Sequence, residues 1–541
     1  MPSECIPYSE TNYFSRLILD YLDRKEDLKK FYSRYPEIDN FGQQIEEKMD
    51  SFSVENRKVL VEVLETQYEN IHTSAATEAN IKALGKTSTF TVTTGHQLNL
   101  FSGPLYFVYK IISTINLTRM LKEKYPEYDF VPVYWMATED HDFEEISFFN
   151  LKGKKFKWNS TEERAGKTAV GYLSTEGLQE VFNLFSAEIG VGEDADFLKN
   201  LFETAYLKHD NLTNATRFLA NELFRAYGLV ILDAQDKKLK KLFVPYAKNE
   251  LFQQISHEKT SKTAEALAGL GYNIQVNPRE INLFYLTEDF RERIIEREGA
   301  FYVHEMENIK WSREELLAEL EEHPERFSPN VVMRPLYEEV ILPNLCYIGG
   351  GGELAYWFEL KAYFEAENVT FPILLLRNSV LVQTEKQKSK RENLNISNKE
   401  LFLKQYELIN RKVRKISDID IDFSPQKEHL KEQFQQMYEL AEKTDKTFLG
   451  AVKAQEVKQL KGLEHLEKRL LKAQKRKLKD EVTRISKLQN ELFPNGALQE
   501  RQANFSEFYA QHGEEFITTL IEHLNPLDEN FKILTFGQEQ K

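Results

Sequence analysis

The chain has 541 residues, of which 41% are hydrophobic and 12% aromatic, and its formal net charge at pH 7 is −15. This length allows two or three domains with sizeable cores, and the composition is that of a folded protein rather than a disordered one. The acidic balance disfavours a general nucleic-acid binder, because an acidic surface repels a polyanion.

The cysteines and the hydropathy of the chain indicate the cellular compartment of the protein. The two cysteines, Cys5 and Cys346, form no CxxC pair, which excludes a thiolate zinc site and a disulfide framework. We expect both to be free thiols in a reducing compartment. The opening stretch MPSECIPYSETNYFSRL has no apolar core of signal-peptide length, and no stretch approaches the roughly 18 to 20 apolar residues of a membrane span. We therefore expect a cytoplasmic protein without membrane contacts.

Four short apolar runs have the β-branched and aromatic content of interior strands: residues 89–95, 131–137, 228–234 and 371–380. Their continuous hydrophobicity predicts a sheet covered on both faces. Helical spacing predicts a helix between the first two runs, with Pro104 at its first position and Leu105, Val108, Ile112, Ile115 and Leu121 on its buried face. A further helix is predicted over 354–368. Strand, helix and strand in this order predict a doubly wound α/β core with a parallel sheet.

Two insertions interrupt this core, which we place at residues 1–383. The first, about 146–227, opens with the strand-and-turn pattern SFFNLKGKKFKW and then becomes helical. The second, about 271–330, carries YNIQV, INLFYL and AFYVHEM, which predict short antiparallel strands before a Glu-rich helix.

Residues 384–500 predict a coiled coil, because they are rich in Lys, Glu, Gln and Leu and nearly free of Gly and Pro. An apolar residue recurs every seventh position at Leu471, Leu478, Ile485 and Leu492. Two long helices must therefore pack on each other, on a second subunit, or on both. Between Lys453 and Lys487 there are 12 basic and 5 acidic residues, which indicates a solvated face or a contact for phosphate or an acidic partner. The apolar segment 501–541 is expected to return to the core.

Polar residues follow the predicted strands, where open α/β sheets bind ligands. After the first strand, Gly95 and Gly103 allow a ligand to approach the backbone, and a helix starting at Pro104 would offer free N–H groups to an anion. Lys110 and His96 lie within reach of that place. The alternative is a Gly-rich turn followed by a capped helix.

The second strand runs into Glu139, Asp140, His141 and Asp142. These four residues have three interpretations. They could ligate a divalent metal, they could hold and deprotonate an ammonium group, or they could cap the helix that begins near FEEI.

A third group lies between Arg334 and Arg377. Arg334 suits a carboxylate or phosphate, and Gly349 to Gly352 form a flexible backbone cradle before Glu353. Tyr356 and Trp357 could line a pocket or belong to the core. Arg377 could bind substrate or form a structural ion pair.

Four stretches carry a family resemblance: TGHQLNLFSGPLYFVYK, VPVYWMATEDHDFEE, MRPLYEEVILPNLCYIGGGGELAYWFELK and FPILLLRNS. In this order, and followed by a coiled coil, they resemble the cysteine-adding enzymes of bacillithiol biosynthesis, the cysteine ligase family. The resemblance covers nearly the whole chain. It departs from the family at Gly351, where proline is expected.

The resemblance implies a Rossmann-like core related to class I aminoacyl-tRNA synthetases, with two connecting-peptide insertions and a coiled coil that forms a homodimer. It also implies the reaction, in which the carboxyl group of cysteine joins the amine of glucosaminyl-malate. The malate dicarboxylate suits Arg334, Lys110 or a helix N-terminus, and the ammonium suits the acidic cluster. Asp140, His141 or Asp142 would take the proton of the amine, with Glu139 beside them. The expected substrate-binding residues are His96, Gln97, Asn99, Gly103, Tyr106, Lys110, Arg334, Gly350, Gly352, Glu353, Tyr356, Trp357 and Arg377.

The means of activating the cysteine carboxylate does not follow from these motifs. A synthetase relative would use ATP, so ATP or ADP is a candidate cofactor. However, residues 96–104 contain no clean HIGH sequence, and KQKSK at 386–390 only faintly resembles the second synthetase signature. A nucleotide could instead bind near the root of the coiled coil. No metal is expected. Two other functions remain open: a metal-dependent hydrolase or nucleotidyltransferase using the acidic cluster, and a non-catalytic coiled-coil assembly protein that binds a nucleotide.

Overall fold

The structure, a computed structural model, describes residues 3–444 and 446–537. In these residues the strands are β1 (Ser3–Pro7), β2 (Thr89–His96), β3 (Asp129–Met136), β4 (Phe148–Leu151), β5 (Lys154–Lys157), β6 (Val230–Asp233), β7 (Leu283–Leu286), β8 (Arg291–Arg297), β9 (Ala300–Val303), β10 (Met306–Trp311), β11 (Phe327–Pro329), β12 (Asn344–Gly349), β13 (Ile373–Leu376), β14 (Val380–Thr384) and β15 (Asn530–Phe536). The α-helices of the first 380 residues are α1 (Tyr8–Thr11), α2 (Arg16–Leu22), α3 (Asn40–Ser51), α4 (Val54–Tyr68), α5 (Ala75–Ala83), α6 (Tyr106–Lys124), α7 (Phe143–Ile146), α8 (Leu178–Ile189), α9 (Glu193–Leu207), α10 (Leu212–Phe224), α11 (Lys237–Gln253), α12 (Ile255–Gly269), α13 (Arg313–Glu322), α14 (Arg334–Ile341), α15 (Gly351–Trp357) and α16 (Lys361–Ala366). Those that follow are α17 (Glu385–Asn393), α18 (Asn398–Leu401), α19 (Gln405–Ile416), α20 (Ser424–Ala441), α21 (Lys446–Lys477), α22 (Lys479–Leu492), α23 (Ser506–His512) and α24 (Glu515–His523).

A five-stranded parallel sheet forms the centre, with strand order β13-β12-β2-β3-β6. Read from the other edge, in order of appearance in the chain, this is the Rossmann order 3-2-1-4-5. The first three predicted strands are confirmed as β2, β3 and β6, and α6 joins β2 to β3 as predicted. The strands are buried along nearly their whole length, because helices cover both faces of the sheet.

The predicted strand at 371–380 divides between two sheets. β13 is the edge strand of the central sheet, whereas β14 pairs with β15 in a second, three-stranded sheet that also contains β1. The chain turns at Arg377 to Ser379. There the Arg377 N–H donates to the Gly349 carbonyl at 2.9 Å, and the Asn378 N–H donates to the Ser113 hydroxyl at 3.2 Å. Strand β15 thus brings the end of the chain beside the core. The predicted helix at 354–368 also divides, into α15 and α16.

The two insertions have the predicted character. The first insertion contains the hairpin β4–β5 and helices α8 to α10. The second contains an antiparallel sheet with strand order β10-β9-β8-β7-β11, and α13 lies between β10 and β11 in the sequence. The prediction for YNIQV is wrong, since residues 272–276 form no strand. This segment is held by side chains instead: the buried Glu359 carboxylate accepts the Gln275 N–H at 2.7 Å, and Asp20 accepts the Tyr272 hydroxyl at 2.8 Å.

The region after β14 is helical, but two long helices do not account for it. The described residues of 384–500 contain six α-helices, α17 to α22, of which α20 and α21 pack as a long pair around Phe434, Ala441 and Val452. The seven-residue repeat of apolar positions is interrupted at Leu478, which lies between α21 and α22. Leu471, Ile485 and Leu492 belong to the main core of the same chain. No helix in the described residues combines the length and apolar content needed to cross a membrane.

The Glu359 contact predicts a pH-dependent stability. Burial raises the pKa of the Glu359 carboxyl from 4.5 to about 7. A raised carboxyl pKa contributes stability that is fully present below the unfolded value and is lost as the pH rises through the folded value. We therefore expect the Glu359→Gln variant to gain stability over the parent between pH 5 and pH 8, by up to about 3 kcal/mol, measured by urea unfolding at each pH.

The control for this prediction is Glu365→Gln on α16. Glu365 is 62% exposed and pairs with Lys361, so its replacement should not change the pH dependence. A constant difference between Glu359→Gln and the parent across this range would contradict the prediction.

Candidate active site

A cavity of about 700 Å³ lies beyond the carboxyl ends of β2, β3, β12 and β13. It includes the point between β2 and β12 where the strand order reverses, which is where Rossmann-like sheets bind ligands. Thirteen of the predicted site residues line it: His96, Gln97, Tyr106, Lys110, Asp140, His141, Arg334, Gly350, Gly352, Glu353, Tyr356, Trp357 and Arg377. The three groups that the sequence places after separate strands therefore share one cavity.

Two of the four predicted catalytic residues lie outside this cavity. Glu139 is buried in an ion pair with Lys240 at 2.6 Å and accepts the Ser328 hydroxyl at 2.6 Å. Its carboxylate is therefore occupied by structural contacts. Asp142 is exposed just before α7, and its side chain makes no capping hydrogen bond. Glu139 and Asp142 therefore do not share the cavity with Asp140 and His141, and Asp142 stands at the N-cap position of α7 without a capping hydrogen bond.

Asn99 and Gly103 are also structural. The Asn99 amide donates to the Glu145 carbonyl at 3.2 Å. Gly103 has a φ of +62°, and a Cβ at this position would come within 2.6 Å of the Asn99 side chain. Neither residue lines the cavity, because both are packed within the turn.

The turn between β2 and α6 has three successive left-handed residues, with φ of 48° at Phe101, 66° at Ser102 and 62° at Gly103. The Asn504 side chain donates to the carbonyls of Phe101 and Gly103 at 2.8 and 2.7 Å. The Leu105 N–H donates to the Ala503 carbonyl at 2.8 Å. The helix begins at Tyr106 rather than at Pro104. The C-terminal segment therefore occupies the turn and the Leu105 N–H, close to the place where the sequence predicts an anion site.

Asp140 is an ionised carboxylate in the cavity wall. Burial raises the pKa of this carboxyl, but Arg334, Arg291 and the Gln97 amide together lower it below its ordinary value. The Gln97 amide donates to it at 3.2 Å, and an Arg334 nitrogen lies 3.9 Å away. A carboxylate of lowered pKa is a weak base, but it is a good partner for an ammonium group.

His141 is a neutral imidazole that accepts a hydrogen bond from Arg291 through one ring nitrogen and can donate through the other. Burial and the Arg291 cation lower its pKa. Arg291 Nη1 lies 2.9 Å from His141 Nδ1, and a guanidinium can only donate, so Nδ1 accepts. The proton of the neutral ring therefore resides on Nε2. Since no lone pair is left for a substrate proton, this arrangement argues against His141 as a general base.

A second polar cluster surrounds Glu353 at the start of α15. Lys110 Nζ donates to Glu353 Oε1 at 2.7 Å, and the Tyr347 hydroxyl donates to the same oxygen at 2.9 Å. The Gly350 N–H donates to Glu353 Oε2 at 2.8 Å. Burial lowers the pKa of Lys110, with Glu353 opposing this effect. Lys110 is thus committed to orienting Glu353, rather than being free to bind the malate group.

The cavity is cationic within an acidic chain. Seven basic side chains line it, Lys110, Arg279, Arg291, Arg293, Arg334, Arg377 and Arg501, against four carboxyls, Asp140, Glu145, Glu338 and Glu353. Burial, helped by Glu339 and Glu353, raises the pKa of Glu338 well above its ordinary value, so this carboxyl is neutral. The excess of positive charge favours an anionic ligand.

The sequence reasoning missed Arg279, Arg291, Arg293 and Arg501. The first three come from the second insertion, which packs over the sheet, and Arg501 comes from the C-terminal segment. Arg291 and Arg293 are two residues apart in β8 and therefore share one face. The spacing of two residues within a predicted strand could have placed Arg291 and Arg293 on one face of that strand. No pattern in the sequence indicates which face of the strand meets the cavity.

Comparison with known proteins decides the family. The model of the N-terminal Rossmann-like domain of bacillithiol biosynthesis BshC matches residues 1–378, and that of the C-terminal coiled-coil domain matches residues 380–536. The chain belongs to the bacillithiol biosynthesis BshC family. This confirms the resemblance and the combination of a Rossmann-like core with a coiled-coil domain.

Relatives of this BshC-family chain cover 94% to 100% of its length. A protein of Christiangramia forsetii is 70% identical over 100% of both chains, and one of Flavobacterium johnsoniae is 60% identical over 99% of this chain and 100% of its own. A protein of Bacillus thuringiensis is 28% identical over 94% of this chain and 95% of its own. All three carry the name "Putative cysteine ligase BshC". The chain is thus a member of a family of bacillithiol biosynthesis whose named activity is that of a ligase.

The contact between Arg291 and His141 can be tested by titration. Replacing Arg291 by Met removes a cation from beside the imidazole, so the pKa of His141 should rise. The measurement is a proton–carbon NMR titration of the histidine ring signals. Arg293→Met is the matched control, since the Arg293 side chain makes no contact with His141 in the described residues. An unchanged His141 titration in Arg291→Met would contradict the effect of the Arg291 cation on His141.

Proposed function

We propose that the chain joins the carboxyl group of cysteine to the amine of glucosaminyl-malate, forming the amide bond of bacillithiol. The observation that carries this proposal is the combination of surplus guanidinium groups with an ionised Asp140 in one cavity. The amine substrate carries a dicarboxylate and an ammonium, and these two charges need opposite partners. A cytoplasmic location, with no nucleic-acid or membrane partner, belongs to the same proposal.

The malate group is assigned to the arginines of the cavity. The Arg334 side chain has one long ion-pair contact, to Asp140 at 3.9 Å. In the described part of the chain, the guanidinium groups of Arg279 and Arg293 have no hydrogen-bond or ion-pair partner. Guanidinium groups bind carboxylates through parallel hydrogen bonds. These three residues are therefore available to a dicarboxylate, whereas Lys110 is held by Glu353 at 2.7 Å.

The ammonium group is assigned to Asp140, with His141 beside it as a hydrogen-bond donor. In the overall reaction a C–N bond forms, the ammonium group loses two protons, and a C–O bond of the cysteine carboxylate breaks, so that its oxygen leaves with two protons as water. The neutral imidazole of His141 carries its proton on Nε2 and is suited to stabilise the oxygen on which negative charge develops. The proton of the amine then needs an acceptor other than His141.

A likeness to synthetases would place ATP handling at residues 96–104 and 386–390, and both segments make contacts within the protein. The turn at residues 97–105 is filled by contacts with Ala503 and Asn504. Residues 386–390 lie within α17, where Lys390 pairs with Glu491 at 3.4 Å, and none of them lines the cavity. We therefore derive no step through ATP, and binding of a nucleotide near the coiled coil stays a prediction.

The metal-dependent alternative receives less support from the site. Glu139 is paired with Lys240, and Asp142 is exposed outside the cavity. Across residues 3–444 and 446–537, no group of three or more His, Cys, Asp or Glu side chains is arranged to hold a metal ion. The side chains of residues 139–142 therefore do not point to a common position where they could bind a metal ion together.

The proposal predicts different outcomes for two neighbouring carboxylates. Asp140→Asn should lower product formation roughly 10- to 100-fold, because a charged hydrogen bond of about 1.5–3 kcal/mol is lost. Asp142→Asn should keep the parent rate, because Asp142 is exposed outside the cavity. The assay supplies cysteine and glucosaminyl-malate, with and without ATP, and identifies bacillithiol by mass spectrometry.

Absence of bacillithiol with the parent protein under both conditions would contradict the proposed reaction. Equal rates for Asp140→Asn and the parent would contradict the role of Asp140. Inactive Asp140→Asn with intact thermal unfolding would instead support it. The assembly-protein alternative expects no product from any of the three proteins.

We further propose that α20 and α21 form the homodimer contact. Met437 and Leu440 are three residues apart on one face of α20, and they are 44% and 61% exposed. The double variant Met437→Glu, Leu440→Glu should be a monomer by light scattering, because four carboxylates would face each other across a symmetric contact. Gln435→Glu, which adds a carboxylate at an exposed position on another face of α20, is the control. A double variant that stays dimeric would contradict this contact.

A further inference from the structure

A second cavity adjoins the large one. It has a volume of about 210 Å³ and shares Gly350, Gly352, Arg377 and Arg501 with the large cavity. We call it the small chamber. Pockets for drug-sized ligands measure about 300–1,000 Å³, so the large cavity suits a sugar acid and the small chamber suits a smaller molecule.

The lining of the small chamber combines apolar and polar side chains. Its apolar members include Phe14, Ala355, Leu376 and Leu498, and its polar members include Gln275, Arg377, Glu500 and Arg501. A small amphipathic molecule with an anionic group matches this combination.

Arg377 provides an unpartnered donor between the two cavities. It is only 3% exposed, and its terminal nitrogens bond to the Asn378 carbonyl, the Ser379 hydroxyl and the Glu500 carboxylate. Its Nε has no partner among the described atoms. A buried donor without an acceptor is unfavourable, and a ligand carboxylate would supply the acceptor. The place where a Cβ of Gly350 would stand is 3.7 Å from this Nε, so the missing side chain keeps the approach open.

Arg501 adds a second cation from the C-terminal segment. It is exposed and lines both cavities, and its guanidinium has no hydrogen-bond or ion-pair partner in the described residues. Glu500 is already occupied by Arg377 and the Val380 N–H, whereas the side-chain oxygen of Gln275 in the same lining can accept a hydrogen bond from an ammonium group. A carboxylate, an ammonium and a compact apolar or thiol side chain together define a small α-amino acid.

We infer that the small chamber binds the amino-acid substrate, with Arg377 and Arg501 holding its carboxylate at the junction with the large cavity. This inference rests on the proposed function and assigns its two substrates to two separate places. The amine of the sugar acid then approaches from the large cavity. The glycines Gly350 and Gly352 form the shared wall.

Ala355→Met tests this assignment, because Ala355 lines the small chamber and not the large cavity. Binding of L-cysteine and of glucosaminyl-malate, each alone, is measured by calorimetry with the full chain. The variant should weaken cysteine binding at least tenfold and leave glucosaminyl-malate binding unchanged, which also shows that it is folded. Asn277→Met, in the wall of the large cavity alone, is the matched control and should bind cysteine as the parent does.

Two further measurements keep the test decisive. Arg501→Met, at an exposed position, should also weaken cysteine binding, and cysteamine, which lacks the carboxylate, should bind far more weakly than cysteine. Parent-like cysteine binding by both Ala355→Met and Arg501→Met would overturn the assignment, as would equal binding of cysteamine and cysteine. If the parent binds cysteine in the chamber but forms no bacillithiol, the proposed function fails and the chamber assignment stands.

Discussion

The ion pair between Arg377 and Glu500 joins the two halves of this molecule. The nitrogen and oxygen are 2.7 Å apart, and the two side chains are only 4% and 1% exposed. Removing one partner of such a pair leaves a buried charge and typically costs about 3–5 kcal/mol. Arg377 stands at the end of β13 in the central sheet, and Glu500 also accepts the Val380 N–H, where β14 begins. The same contact therefore fixes the transition between two sheets, the C-terminal segment and the boundary of both cavities.

The charge distribution of the site follows from burial rather than from composition. A chain with net charge −15 places seven basic side chains around one cavity, and the protonation of the acidic groups depends on their neighbours. Asp140 stays ionised because Arg334 and Arg291 lower its pKa more than burial raises it, whereas burial, with Glu339 and Glu353, raises the pKa of Glu338 more than Lys110 and Lys48 lower it. Carboxyls of the same chemistry thus have different capacities to bind charge or release a proton.

The sequence was informative where the signal is local. Continuous hydrophobicity identified β2, β3 and β6. The rule that ligands bind at strand ends predicted from the sequence that His96, Asp140 and Gly350 share one site. Sequence patterns did not predict the contacts that join distant segments of the chain. Lys240 neutralises Glu139 across 101 positions of the chain, and no periodicity indicates such a pairing.

Periodicity also failed where the backbone breaks a repeat. The leucine and isoleucine positions from 471 to 492 keep a spacing of seven, yet Leu478 lies between two helices and has a non-helical conformation. A repeat identifies apolar residues, but the partner surface decides whether they meet another subunit or the core of their own chain.

The left-handed turn at Phe101 to Gly103 has a consequence for how the molecule is made. Its conformation depends on Asn504, which lies about 400 residues later in the chain. Domains begin to fold while the ribosome is still extending the polypeptide, so the strand and helix flanking this turn can form long before the residue that secures it emerges. The ligand-binding end of the sheet is therefore completed last, after almost all of the protein has been synthesised.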